Sequence, residues 1–152
     1  MATTVRTFAA SQPTVWSVLA NGESYARWVV GTSAIVHVDP HWPDPGARLR
    51  YRVGRRPLRL EGFTEVREMV PESWLRLRIE AGRIGFVSVE MRLESVSTGC
   101  RVTMVEHPSG GVLSALHTPL GDLVLRLRNV EALRRLERRV EAVERERLYS
   151  AG

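Results

Sequence analysis

Three side chains stand where polar chemistry could meet an apolar surface: Tyr51, Glu106 and His117. Tyr51 belongs to Arg48-Leu49-Arg50-Tyr51-Arg52-Val53, which alternates strictly, so its phenol shares one side with Leu49 and Val53 while three arginines take the other. Glu106 falls on the same side of its strand as Cys100, Val102 and Met104. A carboxylate there either marks a frayed, solvated strand end or reaches into a polar pocket. The expense of burying an unpaired carboxylate favours the strand end. His117 precedes Thr118-Pro119 at the start of the last helix. It could hydrogen-bond a ligand or protonate a carbonyl, although a loop histidine beside a helix N-terminus needs no such role. With an inward arginine such as Arg126, these groups could supply general acid and base catalysis, provided that they converge on one pocket.

Other chemistries find little support. His37 lies in a strand and His41 follows Pro40, so their spacing of four lacks the helical geometry that joins two histidines on one metal. No metal or other cofactor is expected. Cys100 is the single cysteine and sits in an apolar strand pattern, which describes a buried, inert thiol. The chain carries no nucleophile elbow, phosphate loop or metalloprotease helix.

The elements that must position these residues follow from pattern. Thr3 to Ala9 reads as a strand, and Ser11 can cap a helix that begins near Pro13 and stops at Asn21-Gly22. A second short helix spans about Glu23 to Val29. Six alternating segments come next: Ser33 to Val38, Arg48 to Val53, Leu58 to Met69, Trp74 to Glu80, Phe86 to Val96, and a last strand from Cys100. A connection from His107 to Thr118 leads to a helix from Pro119 to about Arg147, with Thr118 as its cap and Asp122 suited to its dipole. Leu120, Leu123, Val124, Leu127 and Val130 form one stripe, and Leu133, Leu136, Val140 and Val143 form a second, rotated from it. The two halves of the helix should therefore face different surroundings.

The 152 residues suit one domain spanning 1–152 and large enough for a real core. No apolar run is long enough for an integral membrane segment and no signal peptide is read, so the cytoplasm is the expected compartment. The net charge of +5 comes from 22 basic residues, all arginine. Most alternate with apolar residues or sit among glutamates, as in Arg134-Arg135-Leu136-Glu137-Arg138-Arg139, which argues for solvated faces with internal ion pairs and against nucleic-acid binding. The oligomeric state is open, a homodimer included.

The Ser11-x-Pro13-x-x-Trp16 helix start, Tyr25-Ala26-Arg27-Trp28-Val29, Gly99-Cys100-Arg101-Val102-Thr103-Met104 and the stretch from Arg128 to Glu137 resemble the START-like (SRPBCC) superfamily, in its polyketide cyclase/dehydrase and lipid-transport group. The resemblance runs from about Val5 to Val143. It implies an α+β helix-grip fold: a curved antiparallel sheet of about seven strands around a long C-terminal helix, with two short helices after the first strand. It also implies a deep apolar pocket between sheet and helix. The expected lining is Trp28, Tyr51, Leu77, Val89, Met91, Met104, Leu116, Leu120 and Val124, which sequence alone does not distinguish from a solid core. The expected function is carriage or sensing of a hydrophobic small molecule such as a polyketide, lipid or isoprenoid. A cyclase or dehydratase using Glu106, His117 and Tyr51 is the alternative.

Overall fold

The computed structural model of the chain describes residues 2–54, 57, 59–80, 85–108 and 119–152. Strand β1 (Ala2–Phe8) leads into helix α1 (Gln12–Leu19), a short 3-10 turn (Gly22–Ser24) and helix α2 (Tyr25–Trp28). Six strands follow: β2 (Thr32–Val38), β3 (Arg48–Val53), β4 (Leu60–Val70), β5 (Trp74–Glu80), β6 (Phe86–Val96) and β7 (Gly99–Pro108). Helix α3 (Pro119–Ser150) closes the chain. The strands make one antiparallel sheet in the order β1-β7-β6-β5-β4-β3-β2, so β1 returns to pair with the last strand. The α+β class expected from the alternation is present, and the arrangement is the helix-grip fold that the family resemblance implied. Ser11 caps α1 as anticipated, its hydroxyl accepting from the Thr14 N–H at 3.3 Å. The second helix is shorter than read, because its first residues form the 3-10 turn. The Thr118 cap and the 109–118 connection lie outside the described residues.

Register turns alternation into rows. Val66, Leu77, Val89 and Glu106 are successive cross-strand partners on the concave face, and so are Met69, Leu75, Met91 and Met104. The opposite parity places arginines and glutamates on the convex face. There Arg48 pairs with Glu65, Arg52 with Glu61, Arg76 with Glu68 and Glu90, and Arg101 with Glu94. Arg48, Arg76 and Arg78 also lie over the rings of Phe63, Trp74 and Phe86. The alternating arginines thus serve a face laced with ion pairs and cation–π contacts, each modest at such exposure.

Helix α3 covers the concave face with one side only. Asn129, Ala132, Leu133, Leu136 and Val140 recur at spacings of three and four and are all buried. The first-half stripe faces outward, with Leu120, Leu123, Val124 and Leu127 between 52% and 70% exposed. The rotation between the stripes is therefore real, and the two halves do meet different surroundings. Polar clamps hold the packed half. Arg6 of β1 donates from Nε and Nη2 to the two carboxylate oxygens of Glu137, each at 3.0 Å. Thr14 of α1 donates to Glu144 and accepts from Arg147 Nη1 at 2.7 Å.

This division has a measurable consequence. Leu136→Ala should lower the unfolding free energy by about 3 kcal/mol, since it empties a fully packed site. Leu123→Ala, on the outward stripe, should change it by less than about 0.5 kcal/mol. Urea unfolding of the two variants checks the pair, and equal losses would show that the outward stripe is packed.

Candidate functional site

Where α3 carries Leu133, Leu136 and Val140 it fills the concavity, and where it carries Arg128, Asn129 and Ala132 it does not. A cavity of about 210 Å³ remains between this part of the helix, α2 and the sheet. Tyr25, Trp28 and Val29 close one side. Ile35, Leu49, Tyr51, Val53, Thr64, Leu77, Ile79, Val87, Val89, Met91 and Met104 form the sheet wall, and Glu106 lies within it. Trp28 is held by Tyr25, whose ring centroid is 4.7 Å away, while Tyr25 donates its hydroxyl hydrogen to the Leu19 carbonyl at 2.8 Å.

Of the residues expected to line a pocket, Trp28, Tyr51, Leu77, Val89, Met91 and Met104 come together around this cavity. Leu120 and Val124 do not: they are 70% and 57% exposed. At about 100° per residue, Leu120 lies half a turn away from Asn129, so a continuous helix cannot turn both toward the sheet. Leu116 and His117 lie outside the described residues. The arginine that lines the cavity is Arg128 rather than Arg126.

Glu106 is the main correction among the polar residues. It is 3% exposed and faces the cavity instead of ending a solvated strand. The reason is register: β7 runs on to Pro108, and at Glu106 it is paired on both sides, with Ala2 and with Val89. Arg128 Nη1 stands 3.6 Å from Glu106 Oε1, beyond hydrogen-bond reach but close enough for an ion pair. The Arg128 side chain remains 41% exposed, so the pair links the buried interior to solvent.

Tyr51 donates its hydroxyl hydrogen to the Glu80 carbonyl at 2.9 Å. Gly62 makes room for this, since a Cβ there would stand 2.2 Å from the Glu80 oxygen and 2.7 Å from the phenol oxygen. Burial pushes the Tyr51 phenol up to about 12, with Arg128 acting in the opposite sense. At neutral pH Tyr51 is thus an uncharged hydrogen-bonding group. Two further donors, Trp28 Nε1 and Asn129 Nδ2, are buried without any hydrogen-bond partner. Asn129 escaped the sequence reading, although a signal existed: it sits four and seven residues before Leu133 and Leu136, a polar residue on the buried stripe.

The remaining reactive groups stand apart. Cys100 is fully buried, with its thiol pushed up by that burial. Among the described residues, no three His, Cys, Asp or Glu side chains gather in a way that could hold a metal ion. No described helix is long and apolar enough to cross a membrane.

The family model described as polyketide cyclase/dehydrase and lipid transport matches residues 2–141. The chain belongs to this family. Solved structures agree on the fold. Protein CV1439 from Chromobacterium violaceum is 17% identical, with a TM-score of 0.73 over 92% of this chain and 96% of that one. Protein NE0264 from Nitrosomonas europaea is 18% identical, with a TM-score of 0.71 over 93% and 94%. DynU16, a protein in the dynemicin biosynthetic locus, is 18% identical, with a TM-score of 0.69 over 94% of this chain and 48% of its own. No curated protein matches the chain.

The buried phenol makes a testable site feature. The neutral form is favoured on folding, so the contribution of Tyr51 is complete below its ordinary value of 10.0 and is lost as pH climbs toward about 12. Absorbance at 295 nm should show a tyrosinate step near pH 12 that Tyr51→Phe removes. A step near pH 10 that vanishes with this substitution would mean the phenol is solvated.

Proposed function

We propose that this member of the family binds a hydrophobic small molecule, in the range of polyketides, lipids and isoprenoids, inside the cavity, as a carrier or sensor. The observation that carries this reading is the composition of the walls. Aliphatic and aromatic side chains from five strands and two helices surround the space, and polar groups are few. Sites of this kind take up a ligand by removing its apolar surface from water, and the few polar groups orient it. DynU16, in a biosynthetic locus, is consistent with a role beside natural-product chemistry.

A second reading is supported by one specific observation, the Glu106 and Arg128 pair at the edge of an apolar chamber. A carboxylate so placed could move a proton on a bound carbonyl compound, as a cyclase or dehydratase requires, while the chamber held the reacting chain in shape. His117 was the other acid expected from sequence and lies outside the described residues, so Glu106 carries this reading.

Native purification followed by mass spectrometry of the extracted small molecules should recover a neutral, apolar compound, unchanged after incubation with the protein. Ala132→Phe, which places a ring in the cavity, should weaken its binding more than about tenfold. Recovery of a transformed compound would replace the carrier reading by the catalytic one. In that case Glu106→Gln should lower kcat by about a hundredfold with little change in KM. Wild-type affinity in the Ala132→Phe protein would place the ligand elsewhere.

A further inference from the structure

Four large apolar side chains in the first turns of α3 face outward. Leu120, Leu123, Val124 and Leu127 are 70%, 52%, 57% and 62% exposed. At 3.6 residues per turn they fall within an arc of about 100°, opposite the side that carries Asn129, Leu133, Leu136 and Val140. Single exposed leucines need no explanation, but a contiguous stripe of this kind marks a surface for an apolar partner. The same arc runs on into the second half of the helix as Arg134 and Arg138, both exposed. Neither is held by a hydrogen bond or ion pair among the described residues, since Glu131 is taken by Arg135 and Glu137 by Arg6, each at 3.0 Å. Arg126 and Arg128, also exposed, flank the stripe on its two sides. The outward ridge is therefore apolar at its start and cationic along its flanks and beyond.

We propose that this ridge docks on an anionic lipid membrane, its four apolar side chains entering the boundary between headgroups and acyl chains while the arginines meet the headgroup anions. Helices that lie in a membrane interface combine these two features, an apolar face and arginines placed to reach the headgroups. The arginine stem is itself apolar, so the guanidinium stays at headgroup level while the stem lies along the chains. The net charge of +5 adds attraction toward a negative surface from a distance. The contact is peripheral, because no described helix is long and apolar enough to cross a bilayer. A second copy of the chain fits the ridge less well. A parallel pairing of the helices sets Arg134 against Arg134 and Arg138 against Arg138, and an antiparallel pairing carries both past the positive end of the other helix. Docking is independent of the ligand-binding reading, although the cavity wall at Arg128, Asn129 and Ala132 belongs to the same stretch of helix. The bilayer would then lie about one helix diameter, ~10 Å, from the cavity.

The test is flotation of the full chain with vesicles of phosphatidylcholine alone or of phosphatidylcholine mixed equally with phosphatidylglycerol, at low salt and at about 1 M salt, where charge is screened beyond ~3 Å. At low salt the partition coefficient on the mixed vesicles should exceed that on the neutral ones by at least about tenfold, and high salt should remove most of the difference. Leu123→Ser with Leu127→Ser should lower partition on the mixed vesicles by more than about tenfold. Arg134→Gln with Arg138→Gln should lower it about fivefold per arginine and flatten the salt dependence. Both double variants should keep the wild-type Tm, since they alter exposed residues. Absence of partition onto the mixed vesicles would overturn the proposal, and so would equal partition onto neutral and anionic vesicles or undiminished partition of the leucine variant. A Tm fall of several degrees in the leucine variant would overturn it by showing the stripe packed within the protein. A wild-type dimer in analytical ultracentrifugation that the leucine variant converts to monomer would assign the ridge to a second copy instead.

Discussion

A single continuous helix can turn only one side toward a sheet, and most of this structure follows from that constraint. Along α3 the inward side carries Leu133, Leu136 and Val140 in one half and Arg128, Asn129 and Ala132 in the other. The large aliphatic side chains interdigitate with the concave face and exclude water. The short or polar ones leave space that no neighbouring residue reclaims, and dispersion contacts are forgone along its walls. Core and cavity are consecutive turns of the same helix. The ion pair of Arg6 with Glu137 and the Thr14, Glu144 and Arg147 cluster fasten the packed half to β1 and α1, so the cavity half is held in place by contacts made elsewhere.

The two faces of the sheet treat charge in opposite ways. On the convex face, arginines and glutamates alternate with inward apolar residues and meet across strands, where water shares the work of solvating them. Glu65 shows the effect: hydrogen bonds from Arg67 and Arg48 hold its carboxyl below the usual range. On the concave face a carboxylate is expensive, and Glu106 is tolerated beside an arginine that keeps contact with solvent. That juxtaposition, with the neutral Tyr51 phenol bound to the Glu80 carbonyl, makes one end of an otherwise oily chamber polar.

Membership of the family and the likeness to solved structures at 9–19% identity establish an architecture that serves carriers and enzymes alike. What separates such proteins is the handful of polar atoms facing the cavity. In this chain the polar groups lining the cavity include a phenol and an ion pair.

Strand parity, the Ser11 cap and the rotation between the two stripes of α3 were legible in the sequence, because each depends on neighbours within a few residues. From them came the α+β class, the long closing helix and the inward direction of Tyr51, Leu77, Val89, Met91 and Met104. Placement of the cavity was not legible. Sequence assigned Leu120 and Val124 to it because they are apolar and helical, whereas which side of α3 faces the sheet is decided by the packing of Leu133, Leu136 and Val140 a turn or more further on. Glu106 shows the same limit. Its parity could be read, but its burial depends on two strands pairing with β7 from distant parts of the chain. Local periodicity is a property of the backbone and is written in the sequence; burial is a property of contacts between distant segments, and only the tertiary structure decides it.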